Sequence, residues 1–461
     1  MARLDWWMLA VLTTLTLVSV VSQTAFQRGM SNDEAQLVVW SQQARWWARD
    51  QPSLLSNAAA LADWAGIDPL TFIRVARPIF VNGAVLIFWA ALREAGWRTE
   101  MAWIGATAVL LVTDMHRMAL VANTHTPFMA FGIACAFLAA TQAVTRPSWA
   151  SYGALGVALA LLPHTKFNAG ALFFCLLLTA AIDPTARRLV QDRRFRLAAG
   201  VFAASAAMLA ALALGNRELV EAESAKYAFG ASPREVSIAF AGGALGALRA
   251  AILAAAILLA LGLRFRGDGL IAEERATIRS TMTCAVVFFV LAGVVALATS
   301  AGVVRWRWLM PGTLFAGMSM VALAASRLAP RARVATLAAI CVFWTAVTGR
   351  HAIDALAHHP DRDHTALIAE LAQALEPGDV VVGPRVIVAA AVLGVPGVTG
   401  WIGETGPAPA DRRIVAVWPA AEAPPAIVLA AVGDSAVRNA RTLDLGPEGG
   451  RYAKAIRLAD D

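Results

Sequence analysis

Charge is scarce in this chain. Asp, Glu, Lys and Arg supply 15% of the 461 residues, hydrophobic residues supply 58%, and the mean hydropathy is +0.60. One soluble core cannot hide that much apolar surface, so the composition excludes an ordinary soluble domain and indicates a polytopic membrane protein. Cysteine is almost as sparse. Cys135, Cys175, Cys284 and Cys341 all fall in apolar stretches, so neither a disulfide framework nor a cysteine-built metal site is expected. A Gly-rich phosphate cradle and a nucleophile elbow are also missing. The formal net charge of +7 does not signal nucleic acid, because no nucleic-acid motif accompanies it. Its arginines cluster between apolar runs, where they orient a protein and meet anionic headgroups.

What is present is a series of about eleven apolar segments, each near the roughly 20 residues that cross a bilayer. They cover approximately 5–26, 76–92, 100–114, 127–144, 149–164, 167–182, 197–214, 246–263, 280–300, 308–326 and 332–349. The basic loops set the orientation. Arg187, Arg188, Arg193, Arg194 and Arg196 form one cluster, Arg264 and Arg266 a second, and Arg327, Arg331 and Arg333 a third. All three fall on the cytoplasmic side if the amino terminus is inside, which puts the carboxyl terminus outside. Arg3 ahead of an apolar run also fits a signal peptide, but the run is long and lacks a small-residue cleavage site, so an uncleaved anchor is expected.

The polar residues of the outer side form the candidate site. Asp33 and Glu34 stand in a first outer loop at about 27–75, where lipid packing asks for no acidic pair. In that loop Leu37, Trp40, Ala44 and Trp47 recur at helical spacing, which predicts a helix along the headgroup layer. After Pro52 a second short helix is expected, with Leu54, Ala58 and Leu61 on its apolar side. His125 lies between spans three and four, Lys166 between five and six, and Arg305 and Arg307 between nine and ten, with Arg74 just before span two and Arg77 at its outer end. Each has a second reading. Basic residues at span ends snorkel, His125 before Thr126 and Pro127 suits a helix start, and acids suit a helix amino end. Short outer loops, however, seldom carry Arg and Lys, and together these groups can hold an anionic headgroup beside a general base.

Ser31-Asn32-Asp33-Glu34, Asp50-Gln51-Pro52-Ser53-Leu54, Arg74, Leu162-Pro163-His164-Thr165-Lys166 and Arg305-Trp306-Arg307-Trp308-Leu309-Met310-Pro311 resemble the membrane glycosyltransferases that use polyprenyl-phosphate sugars. The likeness is to bacterial relatives of the protein O-mannosyltransferases and of the aminoarabinose transferase, and it covers roughly 5–350. It implies an all-α GT-C fold of about eleven transmembrane helices in a bacterial inner membrane, with the active site on the periplasmic face. It also implies inverting transfer from a polyprenyl-phosphate-linked donor to an envelope glycan, lipid or protein. Asp33 inherits the role of base with Glu34 supporting it, and Lys166, Arg305, Arg307 and Arg74 become candidates for the donor phosphate. The sequence departs from the family pattern at His125, where relatives carry a second outer aspartate, and at Gln51. Both are substrate or metal candidates, with His125 able to bind a divalent ion.

Two regions lie outside that comparison. The loop with Lys226, Tyr227 and Arg234 is polar enough to help shape an acceptor groove, though a solvated connector describes it better. Beyond residue 350 the composition changes. A helix at 367–375 and strands at 379–382 and 414–417 predict a small periplasmic α/β domain over 351–461, following a transmembrane domain over 1–350. The competing functional class is a transporter or flippase of lipid-linked sugars. Transporters place binding groups near the bilayer midplane, often on inverted repeats, whereas here the charged candidates gather at one surface.

Overall fold

A computed structural model describes residues 2–27, 30–42, 54–111, 125–215, 230–264, 267–356, 365–402, 412–420, 423–438, 440–444 and 451–457. Long helices dominate because runs of apolar residues in lipid must satisfy their backbone groups internally. In order they are α1 (Ala2–Val21), α2 (Asn32–Ser41), α3 (Leu54–Trp64), α4 (Pro69–Glu94), α5 (Thr99–Thr107), α6 (His125–Thr145), α7 (Trp149–Thr165), α8 (Ala171–Ile182), α9 (Pro184–Gln191) and α10 (Phe195–Gly215). They continue as α11 (Pro233–Arg264), α12 (Ala272–Ala298), α13 (Met310–Ala325), α14 (Pro330–Leu356), α15 (Thr365–Ala374), α16 (Arg385–Gly394) and α17 (Ala426–Arg438).

Over the described residues every expected span falls on a helix, and 112–114 of the third lie outside them. Among the described residues seven helices are long and apolar enough to cross a membrane, and an eighth crossing follows if α8 and α9, bent by 113° at Asp183, count as one. The short α13 owes its length to position. Nearly every residue of α13 is buried by its neighbours, so this helix meets protein on all sides and need not match the bilayer. Packing of the bundle uses aromatic pairs and small residues. Phe80 meets Phe128 at 4.9 Å and Phe88 meets Phe137 at 5.6 Å between α4 and α6, and Trp89 stacks on Trp103 at 4.8 Å. Where α7 crosses α10, a Cβ on Gly156 would lie 2.8 Å from the Ala198 Cα, so only glycine permits that approach.

The end of the bundle that carries the arginine clusters is tied by ion pairs. Arg98 meets Glu274 at 2.7 Å and also pairs with Asp268, which in turn pairs with the fully buried Arg333. Arg279 meets Asp183 at 2.8 Å at the α8–α9 bend.

After α14 the chain builds a five-stranded sheet of β1 (Val380–Val382), β2 (Thr399–Trp401), β3 (Ile414–Pro419), β4 (Arg441–Asp444) and β5 (Arg451–Arg457), in the order β2-β1-β3-β5-β4. β1 pairs parallel with β2 and β3, and β5 pairs antiparallel with β3 and β4. The hydrophobic strands β1 and β3 lie at its centre, covered by α16 on one face and α17 on the other.

Two expectations for the first loop change. The apolar face of α2 does not lie on headgroups: Leu37 and Trp40 are buried in one core with Ile387, Val388 and Val395 of the carboxyl-terminal segment. Gln42 fastens this contact by donating to the Val398 carbonyl at 2.9 Å and accepting from the Gly400 N–H at 2.7 Å, as a β-strand neighbour would. In α3 the buried side is Leu55, Ala59 and Ala62, and Leu61 points outward at 65% exposure. The second span also starts seven residues early, at Pro69 behind the Asp68 cap, so Arg74 and Arg77 sit inside a helix. Gln42→Ala removes two interfacial hydrogen bonds and should cost about 1–3 kcal/mol, seen as a lower melting temperature with faster proteolysis of the carboxyl-terminal segment.

Candidate active site

At the end of the bundle opposite the arginine clusters lies a cavity of about 1250 Å³. Asp33, His125, Lys166, Arg305 and Arg307 all line it. These residues come from four separate parts of the chain, and local structure explains how each arrives.

Asp33 is held by the start of α2. Ser31 is the amino cap: its hydroxyl accepts from the Glu34 N–H at 3.3 Å, and the Glu34 carboxylate accepts from the Ser31 N–H at 2.7 Å. Glu34 therefore does the capping. Its carboxylate also pairs with Arg77 and, at 3.3 Å, with Arg74, and Arg77 donates to Gln23 at 2.8 Å. Burial works to raise the Glu34 pKa, but Arg77, Arg74 and the Ser31 N–H outweigh it and hold the group below the usual carboxylate range. Asp33, one residue earlier, is half-buried, lines the cavity and makes no hydrogen bond to any described residue.

Lys166 is placed by a break in helical structure. Pro163 sits in the last turn of α7, Lys166 leaves the helix in extended conformation, and its N–H still reaches the Leu162 carbonyl at 3.1 Å. A short 3₁₀ turn then doubles back, with Gly170 so close to Pro163 that a Cβ would sit 3.0 Å from it. Two side-chain bonds fix this turn: Lys166 Nζ donates to Thr126 Oγ1 at 3.2 Å, and Asn168 Nδ2 donates to the Trp308 carbonyl at 2.6 Å. The segments bearing His125, Lys166 and Arg307 are thereby joined. Burial pushes the Lys166 ammonium down to about 7, Arg307 acts in the same direction, and Asp33 opposes both.

Other candidates lie elsewhere. Glu34 and Arg74 form the buried ion-pair cluster beneath Asp33 and are not among the residues lining the cavity. Gln51, Lys226 and Tyr227 lie outside the described residues. Arg234 is exposed in the first turn of α11. Among the described residues no group of three His, Cys, Asp or Glu side chains comes together as a metal site, at His125 or elsewhere. The cavity also contains Arg385, from the first turn of α16. Sequence spacing carries no trace of it, since Arg385 reaches the site only because α16 packs on α2. Below this charged rim the wall turns apolar, with Phe174, Leu178 and Val295 each about half exposed on the flank of α8 and α12.

Neither a protein-family model nor a curated protein matches the sequence. Solved structures do. The chain resembles the crystal structure of ArnT from Cupriavidus metallidurans bound to undecaprenyl phosphate, with a TM-score of 0.64, 13% identity, and coverage of 97% of this chain and 98% of that one. The fold is GT-C. The apo form of the same ArnT gives a TM-score of 0.62 at 12% identity over 99% of both chains. The arabinofuranosyltransferase AftD from Mycobacteria, in a cryo-EM structure of a mutant, gives 0.51 at 15% identity, covering 98% of this chain and 41% of that one. Identity this low makes the likeness one of GT-C fold, and the carboxyl-terminal sheet falls within the matched length. Glu34→Gln tests how this site is held: it leaves Arg74 and Arg77 buried with less countercharge and should cost about 3–5 kcal/mol in thermal unfolding.

Proposed function

We propose that the chain is a glycosyltransferase that moves a sugar from a polyprenyl-phosphate donor to an acceptor on the outer face of a bacterial inner membrane. One observation carries this reading. A carboxylate with no hydrogen bond to any described residue faces Lys166, Arg305 and Arg307 across one cavity, and the wall beneath them is apolar and open to the flank of the bundle. An amphiphile with an anionic linkage matches that sequence of surfaces.

The reaction follows from the placement. Lys166, Arg305 and Arg307 bind the phosphodiester, and the polyprenyl chain leaves between α8 and α12. The acceptor hydroxyl oxygen bonds to the anomeric carbon while the bond from that carbon to the phosphate oxygen breaks. Asp33 takes the hydroxyl proton. The departing polyprenyl phosphate gains negative charge, which the cations stabilise as it develops. Attack and departure on opposite faces of the sugar invert the anomeric configuration. The carboxyl-terminal segment belongs on the same face, as a periplasmic unit over 351–461, because it covers α2 and contributes Arg385. The acceptor is an envelope glycan, lipid or protein.

A flippase needs groups near the midplane, and the charged residues here gather at one end of the bundle. Purified protein supplied with polyprenyl-phosphate sugars and cell-envelope extract should release free polyprenyl phosphate in proportion to glycosylated acceptor. Movement of intact donor between leaflets without release of polyprenyl phosphate would refute the reading.

A further inference from the structure

A second cavity, of about 340 Å³, opens at the arginine-rich end of the bundle, among α6, α7, α8, α9 and α12. Its shaft is apolar, walled by Phe137, Leu159, Leu176 and Phe315, and it ends at Leu162 and Leu172, beside the Pro163–Gly170 turn that carries Lys166. At roughly 30 Å³ for each water-sized group, it holds a chain of about a dozen carbons.

The mouth is different in kind. Arg188 of α9 and Glu273 of α12 both line it, both are exposed, and neither has a hydrogen bond or ion pair from its side chain to any described residue. A cation and an anion that share an opening without pairing there present two opposite charges to a ligand. Their neighbours are already engaged. Arg187 donates to the Ala180 and Ala181 carbonyls, Arg279 and Ser280 bind Asp183, and the Thr145 hydroxyl donates to Glu94.

We propose that this cavity is a site for a zwitterionic aminophospholipid. About a dozen carbons of one acyl chain fill the shaft, the phosphate meets Arg188, and the ammonium of the headgroup meets Glu273. A purely anionic headgroup satisfies Arg188 but is repelled by Glu273. A quaternary ammonium presents no N–H to the carboxylate. The site is separate from the proposed sugar-transfer cavity and does not depend on that function.

The test is native mass spectrometry of the full-length chain in detergent, titrated with palmitoyl-oleoyl phosphatidylethanolamine, phosphatidylglycerol or phosphatidylcholine. Phosphatidylethanolamine should be retained over each of the others by a factor of about three, the scale of one exposed ion pair. Arg188→Gln should weaken retention of both phosphatidylethanolamine and phosphatidylglycerol. Glu273→Gln should erase the preference for phosphatidylethanolamine over phosphatidylglycerol. Ala140→Phe, which fills the shaft, should remove the adduct. The two surface variants leave the core intact and decide the matter even if the filled variant misfolds. Equal retention of the three lipids, a preference for phosphatidylglycerol, or a preference unchanged in Glu273→Gln would overturn the proposal.

Discussion

Asp33→Asn should lower sugar transfer by about 10²–10⁴-fold while leaving donor affinity nearly unchanged. The substitution keeps size and hydrogen-bonding capacity and removes only the ability to accept a proton at the acceptor hydroxyl. The fold should be indifferent to it. The cap of α2 is made by Ser31 and Glu34, and the carboxylate that neutralises Arg74 and Arg77 belongs to Glu34. Stability and activity therefore separate across two adjacent acids: Glu34→Gln should unfold at lower temperature, and Asp33→Asn should melt like the parent chain. Measuring transfer rate, donor binding and melting temperature on both variants checks this division. An Asp33→Asn chain that melts at lower temperature yet transfers sugar normally would mean the roles are reversed.

Lys166→Gln should reduce kcat/KM for the polyprenyl donor on the order of 10²-fold, because a buried cation meeting a developing phosphate charge acts where water cannot screen it. Its pH dependence gives a second signature. With its pKa pushed down to about 7 by burial and by Arg307, the side chain is charged and able to grip phosphate below that pH, and loses its charge as pH rises through it. Donor kcat/KM should fall on the alkaline side of about pH 7. A bound phosphate favours the charged form, so kcat should hold to higher pH than kcat/KM. Lys166→Arg keeps its charge throughout this range, and the alkaline limb should move out of the neutral region. Initial rates against pH for parent and variant provide the measurement. An unchanged limb in Lys166→Arg would remove Lys166 from the donor site.

Much of the membrane portion was legible in the sequence because lipid imposes a simple rule. Apolar length sets the spans, and every expected span meets a helix. The grouping of Asp33, His125, Lys166, Arg305 and Arg307 was legible too, since placing spans alternately up and down brings their ends to one side. Glu34 and Arg74 were harder. Side of the membrane does not tell a residue facing a cavity from one facing a neighbouring helix, and the difference between Asp33 and Glu34 is a single step around α2. The covering of Leu37 and Trp40 was invisible for another reason. An amphipathic helix offers the same apolar stripe to lipid or to protein, and its partner, α16, lies about 350 residues later in a stretch where only β1, β3 and α15 left a readable pattern. Arg385 depends on that long-range contact. Lone arginines at helix starts carry no signal of a site.

The most direct measurement is a cryo-EM structure of the full chain with a polyprenyl phosphate. The phosphate should lie within about 4 Å of the Lys166 ammonium and the Arg307 guanidinium, with the lipid descending between α8 and α12 and the Asp33 carboxylate facing the open side of the phosphate. A lipid phosphate bound anywhere other than beside Lys166 and Arg307, or an Asp33 side chain turned away from it, would contradict the account.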